Sequence, residues 1–203
     1  MIIAIPKGKL MEDSINAFSI AGLDLNIEDN RKLLIKDRKN DMILSRAMDV
    51  PLYVENYADI GIAGTDTIME RKCDIMVPMK LNFGKCRMSI CALKNYRIKD
   101  LKGKKIATKY PEITYRYFKK LGIDIEIVKL SGSIELAPLM GMSDAIVDIV
   151  QTGKTIRENK LMEIKKIMDV SAALIVNRLS YKVKYDEIRN IIEKMGVKEY
   201  EYQ

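Results

Sequence analysis

The 203-residue chain contains no histidine. This absence removes the imidazole base on which Ser-His and Cys-His nucleophile systems depend, together with the commonest zinc ligand. Whatever chemistry the chain carries must run without an imidazole. Cysteine is scarce as well. Cys73, Cys86 and Cys91 form an odd count without CxxC spacing, which suits thiols in a reducing compartment rather than a disulfide framework. No stretch approaches the ~18 consecutive apolar residues of a membrane span. The apolar run Ile2 to Ile5, stopped by Pro6 and Lys7, is too short for the core of a signal peptide. The expectation is a cytoplasmic protein without a membrane partner. Aromatic residues amount to 6%, few for a surface that stacks bases. The chain also lacks a Pro-rich linker, an internal repeat and any block of like charge.

What is present describes a globular chain. Apolar residues make up 48%, enough to bury a real core in one large domain or two small lobes. Thirty-five Lys and Arg stand against 28 Asp and Glu, a net charge of +7, which favours a polyanionic partner. The cations are dispersed, so a moderately basic cleft for a phosphorylated small molecule fits better than a nucleic-acid arm.

Short apolar strands alternate with helical patterns almost from the first residue. Ile2–Ile5 reads as a strand and Leu10–Ala21 as a helix ended by Gly22. Lys32–Lys36 and Met42–Leu44 read as a hairpin, Ala58–Ala63 as a strand, Thr65–Arg71 as a short helix and Asp74–Met79 as a strand. After Gly84 the pattern restarts, with strands at 87–93, 105–108, 125–130 and 144–150 and helices at 112–121 and near 135–140. The segment 170–177 and an amphipathic helix over 185–195 read as a return to the first lobe. The alternation predicts an α/β protein of two lobes, each a mainly parallel or mixed sheet flanked by helices, with a cleft between them. Residues 1–83 with 170–203 form the expected first lobe and 84–169 the second.

The segment from Asp144 to Thr155 carries the clearest chemistry. Strand alternation places Asp144, Ile146 and Asp148 on one face, with Asp148 nearest the C-terminal end, where open α/β sheets bind ligands. Gln151-Thr152-Gly153-Lys154-Thr155 follows. The two threonine hydroxyls can donate hydrogen bonds, Gly153 permits close backbone approach, and a helix starting there aims N–H groups at an anion. An acid just upstream can accept the hydroxyls of a ribose. The Gly-Lys-Thr triplet is not a P-loop, because that motif requires glycine five residues before Gly153 and the position is Asp148. No G-x-G-x-x-G follows a strand either. The residues alone leave two readings open, a phosphate cradle or a strand-turn-helix junction in which Thr and Gly act only as caps.

Ordered motifs extend along nearly the whole chain: Ile5-Pro6-Lys7-Gly8-Lys9-Leu10, Arg46 to Pro51 with Tyr53-Val54-Glu55, Asp59 to Asp66, Phe83-Gly84-Lys85-Cys86-Arg87, Ala107 to Pro111, Gly132 to Pro138, and Asp144 to Thr155. In these the chain resembles the short form of the ATP phosphoribosyltransferase family, which opens histidine biosynthesis. The resemblance implies a two-lobed fold like that of periplasmic binding proteins. It also implies Mg2+-dependent transfer of ribose 5-phosphate from phosphoribosyl pyrophosphate to N1 of ATP, giving phosphoribosyl-ATP and pyrophosphate. Such a substitution needs positioning and electrostatics more than a side-chain base, so the missing histidine is no obstacle.

The resemblance further implies that Thr152, Gly153, Lys154 and Thr155 hold the 5-phosphate and that Asp148, with Asp144, takes the ribose hydroxyls. Lys7, Gly8 and Lys9, with Arg46, match basic positions near the pyrophosphate and ATP phosphates, Lys7, Lys9 and Arg46 being the catalytic group. Asp66 and Glu135 are further polar contacts. Magnesium is expected mainly on substrate phosphates, with no protein metal site. Lys9 stands where the family commonly has arginine, and its ammonium lacks the guanidinium fork. Gln151 replaces a usual serine, and Asn56-Tyr57 sits where a glycine is common. A homodimer that joins a histidyl-tRNA-synthetase-like regulatory subunit in a hetero-oligomer is the implied assembly. A solute-binding module without chemistry, and a nucleic-acid binder, are the competing readings of the residues themselves.

Overall fold

A computed structural model describes residues 1–25 and 32–200, with side chains up to residue 196. Contacts divide the chain into two compact units, Met1–Gly84 with Ser171–Gln203, and Lys85–Val170. Among the described residues no helix is long and apolar enough to cross a membrane.

The first unit is built on a six-stranded mixed sheet. In chain order its elements are β1 (Ile2–Lys7), α1 (Met11–Ile20), β2 (Leu34–Ile35), β3 (Asp41–Arg46), α2 (Val50–Asn56), β4 (Ile60–Gly64), α3 (Thr65–Arg71) and β5 (Ile75–Lys80). The spatial order is β2-β3-β1-β4-β11-β5, where β11 (Ala172–Asn177) arrives after the second unit has been completed. β1 runs parallel to both β3 and β4, and β11 is inserted antiparallel between β4 and β5. The central strands are apolar on both faces, as strands covered on two sides must be. One face packs Ile3, Ile5, Leu44 and Leu174 against Phe18 of α1 and Ile188 of the last helix. The other packs Ala4, Ile43 and Ile175 against Val50 and Val54 of α2. Two helices, α7 (Arg178–Val183) and α8 (Tyr185–Tyr200), close the unit.

Asp59 clips those helices to the sheet. Its buried carboxylate accepts the Ile2 N–H at 2.7 Å, the Ser180 hydroxyl at 2.6 Å and the Lys184 ammonium at 2.7 Å. Burial raises the Asp59 pKa, but the Lys184, Ser180 and Ile2 donors together outweigh it and hold the carboxyl below its ordinary value.

The second unit carries β6 (Cys86–Ala92), β7 (Lys105–Thr108), α4 (Pro111–Lys120), β8 (Glu126–Lys129), α5 (Leu136–Leu139), β9 (Ala145–Val150), α6 (Lys154–Glu158) and β10 (Met162–Val170). Its sheet has the order β10-β6-β9-β7-β8, parallel among β9, β7 and β8 and antiparallel elsewhere. Cys91, Ala107, Ile146 and Val150 pack against Ile134 and Ala137 beside α5 and Ile156 of α6.

Three elements were not expected from the sequence. Helix α2 is only seven residues long and has proline at its start, too short for helical periodicity to register. The residue that ends it, Tyr57, keeps a negative φ of −147°, so the position does not demand glycine. Helix α7 is likewise short, started by Asn177, whose side chain accepts the Leu179 and Ser180 N–H groups. Strand β10 is an edge strand with register shifts at Glu163/Lys165 and Lys166/Met168, and such bulges erase the two-residue alternation by which a strand is read.

Candidate active site

In the second unit, β7 lies between β8 and β9, so chain connections diverge at its carboxyl end, the place where open α/β sheets leave a crevice. Asp148 sits near the corresponding end of β9. Alternation puts it on the face of Ile146 and Val150, which the α5 and α6 side covers, and it is only 6% exposed. Its Oδ1 accepts the Ile149 N–H at 2.8 Å and lies 3.6 Å from the Lys109 ammonium. Burial is the strongest influence on this carboxyl and pushes its pKa up, Lys109 and the Ile149 N–H pull it down, and Glu135 adds to the upward push; the net shift is upward. A buried carboxylate of this kind can accept further hydrogen bonds from a polar ligand.

Thr108 positions Lys109. Its fully buried hydroxyl donates to the Val147 carbonyl at 2.8 Å and accepts the Tyr110 N–H at 2.9 Å, tying the β7–α4 turn to β9. Glu135 precedes α5 at its N-cap, just after Ser133, which adopts a left-handed φ of 46°. Asp148, Lys109 and Glu135 therefore form one electrostatic group. Lys109 was not assigned a role from the sequence, although the motif Ala107 to Pro111 directly after a parallel strand carried the signal.

Beyond Val150 the chain turns through Gln151, Thr152 and Gly153 into α6. Gly153 has φ +74°, and a Cβ there would stand 3.2 Å from the Arg157 guanidinium, so this turn requires glycine. The Thr152 hydroxyl accepts the Lys154 N–H at 3.4 Å. Thr152, Lys154 and Thr155 are exposed, and the Lys154 ammonium lies 3.8 Å from Glu158 in a solvated pair. Two threonine hydroxyls and the first-turn N–H groups of α6, part of which a helix cannot satisfy internally, are the polar donors that this turn can offer.

Asp144 is not brought to this turn. It stands at the other end of β9, accepts the Lys105 N–H at 3.0 Å and pairs with Lys104 at 3.2 Å. Four residues of strand, about 13 Å at the usual rise, separate it from Asp148, and its geometry is that of a structural clip.

In the first unit, Lys7 and Arg46 are register partners at the carboxyl ends of the adjacent parallel strands β1 and β3. Gly8 follows with φ +94° and open space where a Cβ would be, and its carbonyl accepts the Met11 N–H at 3.0 Å to start α1. Lys9 and Arg46 are exposed. Arg46 leads into a short 3-10 turn, Ala47–Asp49, which Arg71 secures by donating to the Met48 carbonyl at 2.8 Å and to Asp49 at 2.7 Å. Asp66, in the first turn of α3, is buried and folded back so that a Cβ on Gly64 would collide with its carboxylate. An acid there also favours the helix N-terminus. The structure thus collects Lys7, Gly8, Lys9 and Arg46 at one sheet edge of this unit, and Asp148, Thr152, Gly153, Lys154, Thr155 and Glu135 at one sheet edge of the other.

Comparisons with known proteins bear on this geometry. The family model described as "HisG: ATP phosphoribosyltransferase" matches residues 46–196. An ATP phosphoribosyltransferase of Pyrococcus furiosus is 51% identical over 197 residues, covering 96% of this chain and 97% of the relative. Among solved structures, an ATP phosphoribosyl transferase (HisG:HisZ) complex from Thermotoga maritima superposes with a TM-score of 0.85 at 34% identity, covering 97% of this chain and 96% of that one. The substrate binding protein of an amino acid ABC transporter matches with a TM-score of 0.61 at 16% identity, over 98% of this chain and 93% of that one, a likeness of fold alone. On this match of sequence and structure the chain belongs to the ATP phosphoribosyltransferase family, the enzymes of the first step of histidine biosynthesis.

Proposed function

We propose that the turn Thr152–Thr155 holds the 5-phosphate of phosphoribosyl pyrophosphate while Asp148 accepts its ribose hydroxyls. The observation that carries this reading is the buried Asp148, its pKa raised, just upstream of a turn whose glycine is held at φ +74°. A buried acid with a raised pKa beside a ligand-sized turn is the kind of group that functional sites collect. Lys109 and Glu135 tune its field, and Asp144 is left to its structural contacts.

With the ribose held by phosphate and hydroxyls, its C1 is presented to the adenine. The N1 lone pair forms the new C–N bond as the C1–O bond breaks, and the electron pair leaves with pyrophosphate. No proton need be removed for bond formation, consistent with a chain that has no histidine. Within the first unit, Lys7, Lys9 and Arg46 are the cations suited to a phosphate-charge role, and Gly8 leaves main chain open to a close oxygen. Among the described residues no three His, Cys, Asp or Glu side chains converge as metal ligands, and the acid at the loop already has a lysine beside it. Mg2+ would come with the substrate phosphates and would supply neutralisation of the leaving group.

The chain acts in the cytoplasm as a homodimer and assembles with a separate regulatory subunit resembling histidyl-tRNA synthetase; the HisG:HisZ complex of the Thermotoga maritima neighbour is the support for a two-component assembly. The test is an assay of the purified chain with ATP, phosphoribosyl pyrophosphate and magnesium, with and without that subunit, following phosphoribosyl-ATP. Product in either arm is expected. Its absence from both would overturn the reading.

A further inference from the structure

A second set of contacts lies on the same sheet face as Asp148 and has no part in the ligand contacts assigned above. Arg87 of β6 forks onto Glu163 of β10, Nε to Oε1 at 2.7 Å and Nη2 to Oε2 at 2.6 Å. The fully buried Ser89 donates its hydroxyl to the same Oε1 at 2.7 Å. The remaining nitrogen, Nη1, donates to the main-chain carbonyl of Gln151 at 3.3 Å. Gln151 is the residue between the end of β9 and Thr152. In the β6–β9 pairing Arg87 stands opposite Val150 and Ser89 opposite Asp148, so these four side chains share one face.

A guanidinium presents its donors in a rigid plane, and a bidentate carboxylate fixes the direction of that plane. Glu163 and Ser89 thus aim Arg87, and the aimed Nη1 reaches the loop. With side chains 34% and 28% exposed, the Arg87–Glu163 pair matters for direction more than for net stability. We propose that Arg87 is a positioning residue that fixes the Gln151 carbonyl and thereby sets the placement of the Thr152–Thr155 turn. This inference rests on the reading of that turn as the 5-phosphate site. The contact is to main chain, so it makes no demand on the side chain at 151, where glutamine stands in place of the usual serine.

The experiment measures KM for both substrates and thermal midpoints for the full enzyme in four variants. Arg87→Met is expected to raise KM for phosphoribosyl pyrophosphate on the order of tenfold, as a displaced binding loop does, with KM for ATP little changed. Arg87→Lys does not rescue it, because one ammonium cannot hold the carboxylate fork and the carbonyl together. Glu163→Gln keeps the arginine charge but loosens its aim, and raises the same KM about threefold. Thr152→Val separates the two levels of argument. If it raises KM for phosphoribosyl pyrophosphate while Arg87→Met does not, the positioning role is wrong and the turn assignment stands. If Thr152→Val itself has no effect, the turn assignment falls and takes the inference with it. A lower KM in Glu163→Gln would mean that a released Arg87 grips the phosphate directly, and equal rises for both substrates with a matching loss of thermal stability would reduce Arg87 to a fold contact; either overturns the proposal.

Discussion

Near the carboxyl end of β9 an acid is buried and already engaged, whereas Arg46 at the carboxyl end of β3 and Lys9 just beyond β1 are exposed. Asp148 is 6% exposed and lies against Lys109; Lys9 and Arg46 face solvent. On the proposed reading the two edges answer different physical demands. Discriminating a ribose by its hydroxyls requires a directional acceptor freed of competing water, and burial provides that at a cost to the fold. Attracting the polyphosphate of ATP requires charge more than direction, and solvated cations supply it without desolvation. The difference teaches that one group of charges is fixed by contacts within the fold, whereas the other is left to solvent.

The largest expected effect comes from removing the engaged charge. Asp148→Asn should lower kcat/KM for phosphoribosyl pyrophosphate by about a hundredfold and leave KM for ATP within about twofold. Steady-state kinetics with each substrate varied in turn would show it, and equal losses for both substrates would break the contrast between the edges.

A smaller effect is expected at the other edge. Arg46→Ala should raise KM for ATP about fivefold at low ionic strength, and the difference from wild type should shrink as salt is added, because exposed charges are screened over about 10 Å at 0.1 M. A defect that ignores salt would place Arg46 in a desolvated contact instead.

The smallest effect concerns stability and separates two buried acids by sign. The Asp148 pKa is raised, so ionisation penalises the native state at neutral pH, and the penalty is relieved as pH falls through the folded value. Asp148→Asn should therefore raise Tm at pH 7 by about 3 °C, a gain that fades in acid. The Asp59 pKa is lowered, so its stabilisation is present above the unfolded carboxyl value and lost as pH falls through the folded one. Asp59→Asn should lower Tm at pH 7 and flatten the acid dependence. Calorimetry across pH 3 to 7, on the order of the carboxyl range, distinguishes the two; shifts of the same sign would mean that Asp148 is structural.

The apolar strands and the turn chemistry were legible in the chain. β1, β4 and β9 are buried on both faces and read as short apolar runs, and the Gly153 turn announced itself between a strand and a helix start. What was not legible depends on partners distant in sequence. Arg87 meets Glu163 across 76 residues, on a strand whose bulges hide its periodicity, and Lys109 gains meaning only because β7 pairs beside β9. Asp144 shares its strand alternation with Asp148 but stands at the far end of the strand, where the Lys105 N–H and Lys104 engage it.

By itself the sequence determined the α/β class, the family and the position of the Gly153 turn, because apolar runs, helix stops and a glycine turn are written in neighbouring residues. Only the tertiary structure decided which charges are buried, which are paired and which strand ends share an edge. Those properties arise from strand order and from side chains converging across a sheet, and pairings between distant segments leave no local trace in the chain.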